Sequence, residues 1–264
     1  MVLSPGPGDG RFPTALRGAV GFLTRLPVGG DDASWEAFRR TPVAVPLVGY
    51  VVGALAAVPF LVSIPAPSAA ALYLVALVGL TGVTHADGLA DLGDAAAVHG
   101  GVDAGRRRDV LKDAQTGVGG TLALSIAVVT LGLGALALAE AGSRSAVALA
   151  LAAEVGGKAG IALLVCTREA AHEGLGSALT GPATARDLAP VAVSVLPAVA
   201  LAAVAGVGVA SVLAALLAPP AVAWLVGRRA STALGGINGD VLGAANELGR
   251  VAGVHAGVIV WTLS

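Results

Sequence analysis

Three aspartates fall within eight residues of the stretch THADGLADLGD (residues 84–94): Asp87, Asp91 and Asp94. A helix turns about 100° per residue and would place these three carboxylates on one face. Like charges at this spacing repel one another unless a cation lies between them. Carboxylate oxygens are the ligands that Mg²⁺ prefers, and Mg²⁺ commonly combines them with substrate phosphates. The spacing therefore predicts a Mg²⁺ site formed by the three aspartates.

Two neighbouring residues and one alternative bear on this interpretation. Gly88 has no side chain and is predicted to let a ligand approach the backbone. His85 lies about 160° from Asp87 around the helix and is predicted to form a hydrogen bond at the helix end rather than to bind a metal. The alternative is a solvated loop whose carboxylates pair with the arginines at positions 106–108. The shared face directly beside an apolar segment favours the metal site.

A basic stretch follows and leads into a glycine-rich apolar segment: Arg106, Arg107, Arg108 and Lys112, then Gly117, Gly119 and Gly120. The cationic side chains can bind phosphate oxygens. The glycines would expose free N–H groups at a helix N-terminus, which is a common anion site. This stretch predicts a phosphate-binding region. The alternative is a cytoplasmic basic cluster beside a helix that begins with small residues.

A third polar stretch, GGINGDVLGAANELGR, occupies residues 235–250. Asp240 and Glu247 lie seven residues apart and would share a helical face. Further ligand-binding groups are predicted from the small and amide residues: Gly235, Gly236, Gly239, Asn238 and Asn246. The alternative is a glycine-rich loop that leads into an amphipathic last helix.

The composition is that of a membrane protein, because 56% of the 264 residues are hydrophobic and 12% are charged. Soluble domains have roughly 45–50% and about 25%. Apolar segments of near-spanning length predict an all-α, polytopic membrane bundle of about seven transmembrane helices: residues 43–63, 68–84, 117–139, 145–166, two within 188–227, and 241–263. Glu154 and Lys158 interrupt the fourth segment, and their spacing predicts an intrahelical ion pair. We expect a single membrane-embedded domain over residues 1–264, with residues 1–42 cytoplasmic or interfacial.

The orientation follows from the basic residues, which are in excess on the cytoplasmic side of membrane proteins. With seven spans and a cytoplasmic N-terminus, every Lys and Arg except Arg144 and Lys158 falls on the cytoplasmic side. We therefore expect a cell-membrane protein whose three polar stretches face the cytoplasm. The net charge of −1 gives no reason to expect a nucleic-acid partner. The sequence leaves the oligomeric state open and is compatible with a homo-oligomer.

These stretches together resemble the cobalamin synthase family. The family pattern HxDGLADxxD is matched by residues 85–94, and GGxxGDxLGA is matched by residues 235–244. A Lys–Asp pair before a glycine-led helix is matched by Lys112, Asp113, Gly117 and Gly120, and the segments FLTRLPV and PLVGYVVGAL are also similar. Order and spacing agree over nearly the whole chain. The chain departs from the pattern at Leu92, Ala95 and Asn238, which leaves its acidic residues intact.

The resemblance implies the substrates and the reaction. A hydroxyl of α-ribazole or α-ribazole 5′-phosphate would attack the cobinamide-bound phosphorus of adenosylcobinamide-GDP, and GMP would leave. Such transfers depend on metal ions and cations that neutralise phosphate charge. The resemblance thus implies Mg²⁺ on Asp87, Asp91 and Asp94, with Arg108 and Lys112 on the diphosphate. Asp113 and Asp240 would supply a second metal contact or orient the hydroxyl.

Two other classes of protein remain as alternatives. The DGLA segment also resembles part of the CDP-alcohol phosphotransferase signature, but the arginine and the later aspartates of that signature are absent. A transporter would use Glu154 and Lys158 as an ion path and the cytoplasmic acids as a gate. The polar clusters lie on one side of the predicted membrane rather than in paired helices near its midplane, which disfavours a transporter.

Overall fold

The structure, a computed structural model, describes residues 11–97 and 115–264. In these residues the chain forms twelve α-helices: α1 (Arg11–Leu23), α2 (Asp32–Arg39), α3 (Ala44–Ala56), α4 (Ala66–Thr81), α5 (Thr84–Ala97), α6 (Val118–Glu140), α7 (Ser143–Thr167), α8 (Leu175–Thr180), α9 (Leu188–Ser194), α10 (Leu196–Ala205), α11 (Val209–Leu234) and α12 (Gly239–Leu263). The predicted site residues between α5 and α6 lie outside the described residues: Arg106, Arg107, Arg108, Lys112 and Asp113.

The all-α, multi-pass membrane fold predicted from the sequence is confirmed. Four stretches of the described chain are long and apolar enough to span a membrane: α6, α7, Ala185–Ala205 and α11. The last of the predicted segments forms the 25-residue helix α12, whose first half carries charged residues.

The predicted number of seven spans is higher than the structure gives. The first predicted segment is divided, because α3 has only 13 residues and a short 3₁₀ turn containing Pro59 follows it. The second predicted segment becomes α4, which together with α5 counts as a fifth span only as a pair bent by 96°. Gly82 adopts a φ of 70° between the two helices, a conformation that glycine tolerates and that ends α4. The helix α5 therefore turns away from the line of α4 and lies outside the four spans.

The helix α7 forms the centre of the bundle and is buried along nearly its whole length. It packs against α3, α11 and α12. Small residues allow these contacts, since a Cβ at Gly49 of α3 would lie 2.7 Å from the Cα of Val155, and one at Gly156 would lie 2.4 Å from the carbonyl oxygen of Leu216. Close approach of this kind is typical of helices that pack in lipid. The polar residues of α12 are thereby held directly against α7.

The N-terminal helices α1 and α2 form a hairpin against α3. The sequence predicts an amphipathic helix over residues 14–26, and α1 begins and ends three residues earlier. Asp31 caps α2 and also pairs with Arg17 of α1 at 2.6 Å. The rings of Phe22 and Phe38 pack with their centroids 5.5 Å apart. The hairpin thus presents an aromatic face to the rest of the bundle.

Candidate active site

The first and third polar stretches meet where α5 packs against α12. A Cβ at Gly88 would lie 2.7 Å from the Cα of Asp240, and one at Gly243 would lie 3.0 Å from the Cα of His85. The two glycines therefore let the helices approach closely. The backbone of Asp240 occupies the space beside Gly88, so the lack of a side chain serves this helix contact, and the approach of a ligand to Gly88 stays a prediction.

Asp87, Asp91 and Asp240 form a group of carboxylates at this contact. Partial burial and, after it, the charges of Asp240, Asp87 and Asp94 together raise the pKa of Asp91 to about 6. Burial raises the pKa of Asp240 as well, and the charge of Asp87 adds to that effect. No Lys or Arg of the described chain forms an ion pair with any member of this group. The group is thus a concentration of carboxylates without a Lys or Arg ion-pair partner in the described chain.

Asp94 has a different place from the other two aspartates of α5. Its carboxylate accepts the backbone N–H of Gly117 at 2.7 Å and that of Gly120 at 2.9 Å. Asp94 therefore caps the N-terminus of α6 from a neighbouring helix. The glycine-led helix start does bind an anion, but in this structure the anion is the carboxylate of Asp94 rather than a substrate phosphate. A Cβ at either glycine would lie 2.6 Å or less from an Asp94 oxygen, which explains the small residues.

The structure of the described residues contains no group of three His, Cys, Asp or Glu side chains arranged to hold one metal ion. Neither the three predicted ligands on α5 nor the set Asp87, Asp91 and Asp240 is therefore gathered around one point in this structure. The donor chemistry of Asp87, Asp91 and Asp240 still fits a divalent cation, because carboxylates are hard oxygen donors and because burial, followed by the neighbouring carboxylates, raises the pKa of Asp91. Protein carboxylates and substrate phosphates together are the usual ligands of Mg²⁺.

The two predicted asparagines of the third stretch have structural partners. Asn238 caps α12, because its Oδ1 accepts the Val241 N–H at 3.0 Å while its Nδ2 donates to Asp240 at 2.7 Å. It therefore orients one carboxylate of the group. Asn246 is 1% exposed and accepts a hydrogen bond from the Lys158 Nζ at 2.7 Å. Its side chain is enclosed between α7 and α12, and the expectation that Asn246 contacts substrate stays a prediction.

Asn246 belongs to a buried ionic network of five residues: Glu154 and Lys158 of α7 with Asn246, Glu247 and Arg250 of α12. Arg250 donates to both Glu154 and Glu247, and the Asn246 Nδ2 donates to the Glu247 Oε1 at 3.1 Å. The predicted ion pair within α7 is wrong, because the partners of Glu154 and Lys158 come from α12. Two carboxylates and two cations balance the charge of the network, as burial requires.

His85 lies between the acidic group and the buried ionic network. Its Nδ1 is buried without a hydrogen-bond partner and lies 3.9 Å from the Glu247 Oε1. The predicted hydrogen bond at the helix end is therefore absent. The side chain is 14% exposed and lines a cavity beside Asp87 and Asp240.

That cavity has a volume of about 250 Å³ and lies between the N-terminal hairpin, the bundle and α8. Asp87, Asp240 and His85 lie at one part of its wall. Apolar side chains from several helices supply much of the rest: Phe22, Phe38, Val45, Ile161, Leu175 and Leu179. Sequence analysis did not identify these residues as a group, because they are scattered between residues 22 and 179 and each matches an ordinary apolar helix face.

Comparison with known proteins identifies the family of this chain. The model of the family described as cobalamin-5-phosphate synthase matches residues 15–258. The chain belongs to the cobalamin-5-phosphate synthase family. No solved structure matches it. The resemblance that the sequence motifs carry is thereby confirmed.

Its relatives carry one name, adenosylcobinamide-GDP ribazoletransferase. The relative from Halorubrum lacusprofundi is 51% identical over 257 residues, which cover 94% of this chain and 98% of the relative. The relative from Haloquadratum walsbyi is 48% identical over 253 residues, or 95% and 99% of the two chains. A bacterial relative from Klebsiella pneumoniae is 35% identical and covers 88% of this chain and 94% of its own.

The two stretches that match the family pattern lie next to each other in the structure. The stretch at residues 85–94 lies on α5 and the stretch at residues 235–244 begins α12, and in this chain they pack against each other through Gly88 and Gly243. Residues 150 positions apart in sequence thus form one acidic wall beside one cavity. The two stretches that match the family pattern therefore lie at one site in the described part of the chain.

Proposed function

We propose that this protein is an adenosylcobinamide-GDP ribazoletransferase that acts late in cobalamin biosynthesis. It joins the adenosylcobinamide-phosphate group to α-ribazole or its 5′-phosphate and releases GMP. The family match and the names of the relatives support this activity. The observation that carries the proposal is the meeting of Asp87, Asp91 and Asp240 beside a cavity, without a basic partner in the described chain.

The bond changes define what the site must do. A hydroxyl oxygen of the ribazole forms a bond to the cobinamide-linked phosphorus, and the bond from that phosphorus to the oxygen of GMP breaks. Transfer of this kind needs positioning and charge neutralisation more than a strong base. The site therefore has to hold two substrates in line and stabilise negative charge on phosphate oxygens.

Mg²⁺ is the cofactor we propose. Asp87, Asp91 and Asp240 would hold it, and when bound it would neutralise negative charge on the diphosphate and on the leaving GMP. Asn238 orients Asp240 by donating to its carboxylate. Asp94 keeps the start of α6 beside α5, so its contribution is to positioning. Phosphate contacts by Arg107, Arg108 and Lys112, and a carboxylate contact by Asp113, remain predictions from the sequence.

The same proposal includes the location of the site. We place the protein in the cell membrane with its N-terminus and acidic group on the cytoplasmic side, as the distribution of Lys and Arg favours. Single cysteines in a Cys166→Ala background test this orientation. Gly30→Cys should react with an impermeant reagent only in opened cells, and Ser143→Cys should react in intact cells. The reverse pattern would contradict the orientation.

The activity is tested with purified protein in detergent or nanodiscs. With adenosylcobinamide-GDP, α-ribazole and Mg²⁺, the protein should release one GMP for each cobalamin product. Oxygen-18 placed in the ribazole hydroxyl should be retained in the new phosphodiester. A protein that instead releases CMP from a CDP-alcohol would be a CDP-alcohol phosphotransferase, and a protein that releases no nucleotide would fit the transporter alternative.

A further inference from the structure

The cavity beside the acidic group has two chemically different parts. Asp87, Asp240 and His85 supply polar groups, while Phe22, Phe38 and Leu179 supply apolar surface. Its volume is about 250 Å³, somewhat below the roughly 300–1,000 Å³ of sites for drug-sized ligands. A cavity of this size and lining suits a small, mostly apolar group that is attached to a polar one.

The described wall offers no free basic side chain to the phosphate-bearing part of the donor. Arg39 is the basic residue among the described residues of the wall, and its guanidinium is engaged by Glu36, with the Nη2 donating to Oε1 at 2.9 Å. The remaining charged groups of the wall are carboxylates. A diphosphate inside the cavity would lose its hydration without gaining a free cation from the described wall, which is unfavourable.

Its size excludes the corrinoid part of the donor, because a macrocycle that encloses a metal ion is much larger than this cavity. The group that remains among the proposed substrates is the base of the acceptor. Ribazole carries a dimethylbenzimidazole, which is a flat, largely apolar bicyclic ring joined to a polar ribose. The match in size and polarity is therefore with the acceptor.

We propose that this cavity binds the benzimidazole ring of the acceptor between the N-terminal hairpin and α8, with the ribose beside Asp87 and Asp240. This inference rests on the proposed function and specifies where its second substrate binds. Phe22 and Phe38 provide aromatic surface for the ring, with their centroids 5.5 Å apart. Leu175 and Leu179 of α8 form another part of the wall. These residues set which base the enzyme accepts.

The location orients the acceptor for transfer. Asp87 and Asp240 belong both to the wall of the cavity and to the acidic group. A ring held among the apolar residues therefore places the attached ribose next to the carboxylates that we propose bind Mg²⁺. The donor is left to approach from the other side of the acidic group, so the two substrates need not compete for one space.

Changing the width of the cavity tests this assignment. Leu175 is 37% exposed, so Leu175→Phe can narrow the cavity without burying a larger side chain in the core. One methyl group in an apolar pocket changes selectivity by about 10- to 200-fold. We expect the variant to raise the KM for α-ribazole by at least about 10-fold, and to raise it less for the riboside of benzimidazole, which lacks both methyl groups. The KM for adenosylcobinamide-GDP should stay unchanged.

Two further variants make the test decisive. Leu179→Val enlarges the cavity, and it should raise the relative kcat/KM for a riboside with a bulkier base, which keeps the test available if Leu175→Phe does not fold. Val128→Phe on α6 is the matched control, because Val128 is 54% exposed and lies outside the cavity wall. It should leave both KM values at the wild-type level.

The possible failures separate the two proposals. If wild-type protein releases no GMP with any acceptor, the proposed function fails and this inference fails with it. If wild-type protein is active but both cavity variants keep the wild-type ratio of acceptors, the cavity does not hold the base and only this inference is overturned. A rise in the KM for adenosylcobinamide-GDP alone would also overturn it, because the cavity would then hold part of the donor.

Discussion

Two groups of charged residues touch α12, and they differ in how their charge is compensated. The acidic group of Asp87, Asp91 and Asp240 has no cationic partner in the described chain. The buried ionic network between α7 and α12 matches Glu154 and Glu247 with Lys158 and Arg250. The members that α12 contributes to the two groups, Asp240 on one side and Asn246, Glu247 and Arg250 on the other, all lie in the first half of that helix.

The buried ionic network stabilises the fold, whereas we propose that the acidic group binds a ligand. Burying an ion is costly unless a partner and hydrogen bonds compensate it, and the buried ionic network meets that condition from within the chain. The acidic group does not, and the pKa of Asp91 rises to about 6 as a consequence. Carboxylates that repel one another destabilise the fold, and the acidic group therefore suits the divalent cation that we propose as cofactor.

The two groups are also connected through α12. Asp240 lies at its start, and Asn246, Glu247 and Arg250 follow on the next turns. Because the buried ionic network fixes these turns against α7, it also fixes the position of Asp240 relative to α5. His85, 3.9 Å from Glu247, stands between the two groups. The buried ionic network therefore positions Asp240 of the acidic group.

Chelation of the proposed Mg²⁺ should have the largest effect on activity. We expect a chelator to reduce GMP release to background and Mg²⁺ or Mn²⁺ to restore it, because the acidic group then has no cation to bind phosphate oxygens. The thermal unfolding of the protein should change little, since the buried ionic network needs no metal. Ca²⁺ should support less turnover, because its looser geometry holds phosphates less well. Full turnover in the presence of chelator would refute the metal assignment.

Asp91→Asn should have the next largest effect, on activity alone. The substitution removes one charge from the acidic group at nearly constant volume, and we expect kcat to fall on the order of 100-fold. Stability should be unchanged or higher, because repulsion among carboxylates decreases. Glu140→Gln is the matched control, since Glu140 is exposed at the end of α6. Equal kcat values in the two variants would show that the acidic group is a solvated surface.

Arg250→Leu should have the opposite signature. It leaves Glu154 and Glu247 buried without their partner, which typically costs about 3–5 kcal/mol. We expect a large fall in the thermal unfolding temperature, measured in detergent. A second substitution, Glu154→Leu, should recover part of the loss, because it removes one of the uncompensated charges. If Arg250→Leu unfolds at the wild-type temperature, the buried ionic network is not structural.

The sequence predicts the local part of this picture well. The spacing of Asp87, Asp91 and Asp94 predicts a helix, and α5 extends over the whole stretch because helical periodicity is a property of neighbouring residues. The apolar segments predict the long membrane helices for the same reason. The structure divides two of these segments, since Pro59 and Gly82 interrupt stretches whose composition alone would span.

The partners across helices could not be predicted in this way. Asp94 bonds to glycines 23 and 26 residues away, and Glu154 bonds to an arginine 96 residues away. Periodicity identifies the face on which a residue lies, but it does not identify the helix that this face meets. The contacts of Gly88 with α12 and of Asn246 with Lys158 of α7 could not be predicted for this reason.

The smallest expected effect distinguishes Asp94 from its neighbours on α5. Asp94→Ala removes the acceptor for the Gly117 and Gly120 N–H groups, and loss of such a cap costs about 0.5–2 kcal/mol. Asp94→Asn keeps one acceptor oxygen, so it should lose less stability. Since Asp94 caps α6 and we assign the metal to Asp87, Asp91 and Asp240, kcat should fall far less in Asp94→Asn than in Asp91→Asn, and the Mg²⁺ concentration for half-maximal activity should stay the same. A fall in kcat equal to that of Asp91→Asn, together with a higher Mg²⁺ requirement, would make Asp94 a metal ligand, as the sequence spacing predicts. Asp94 would then both cap α6 and belong to the acidic group.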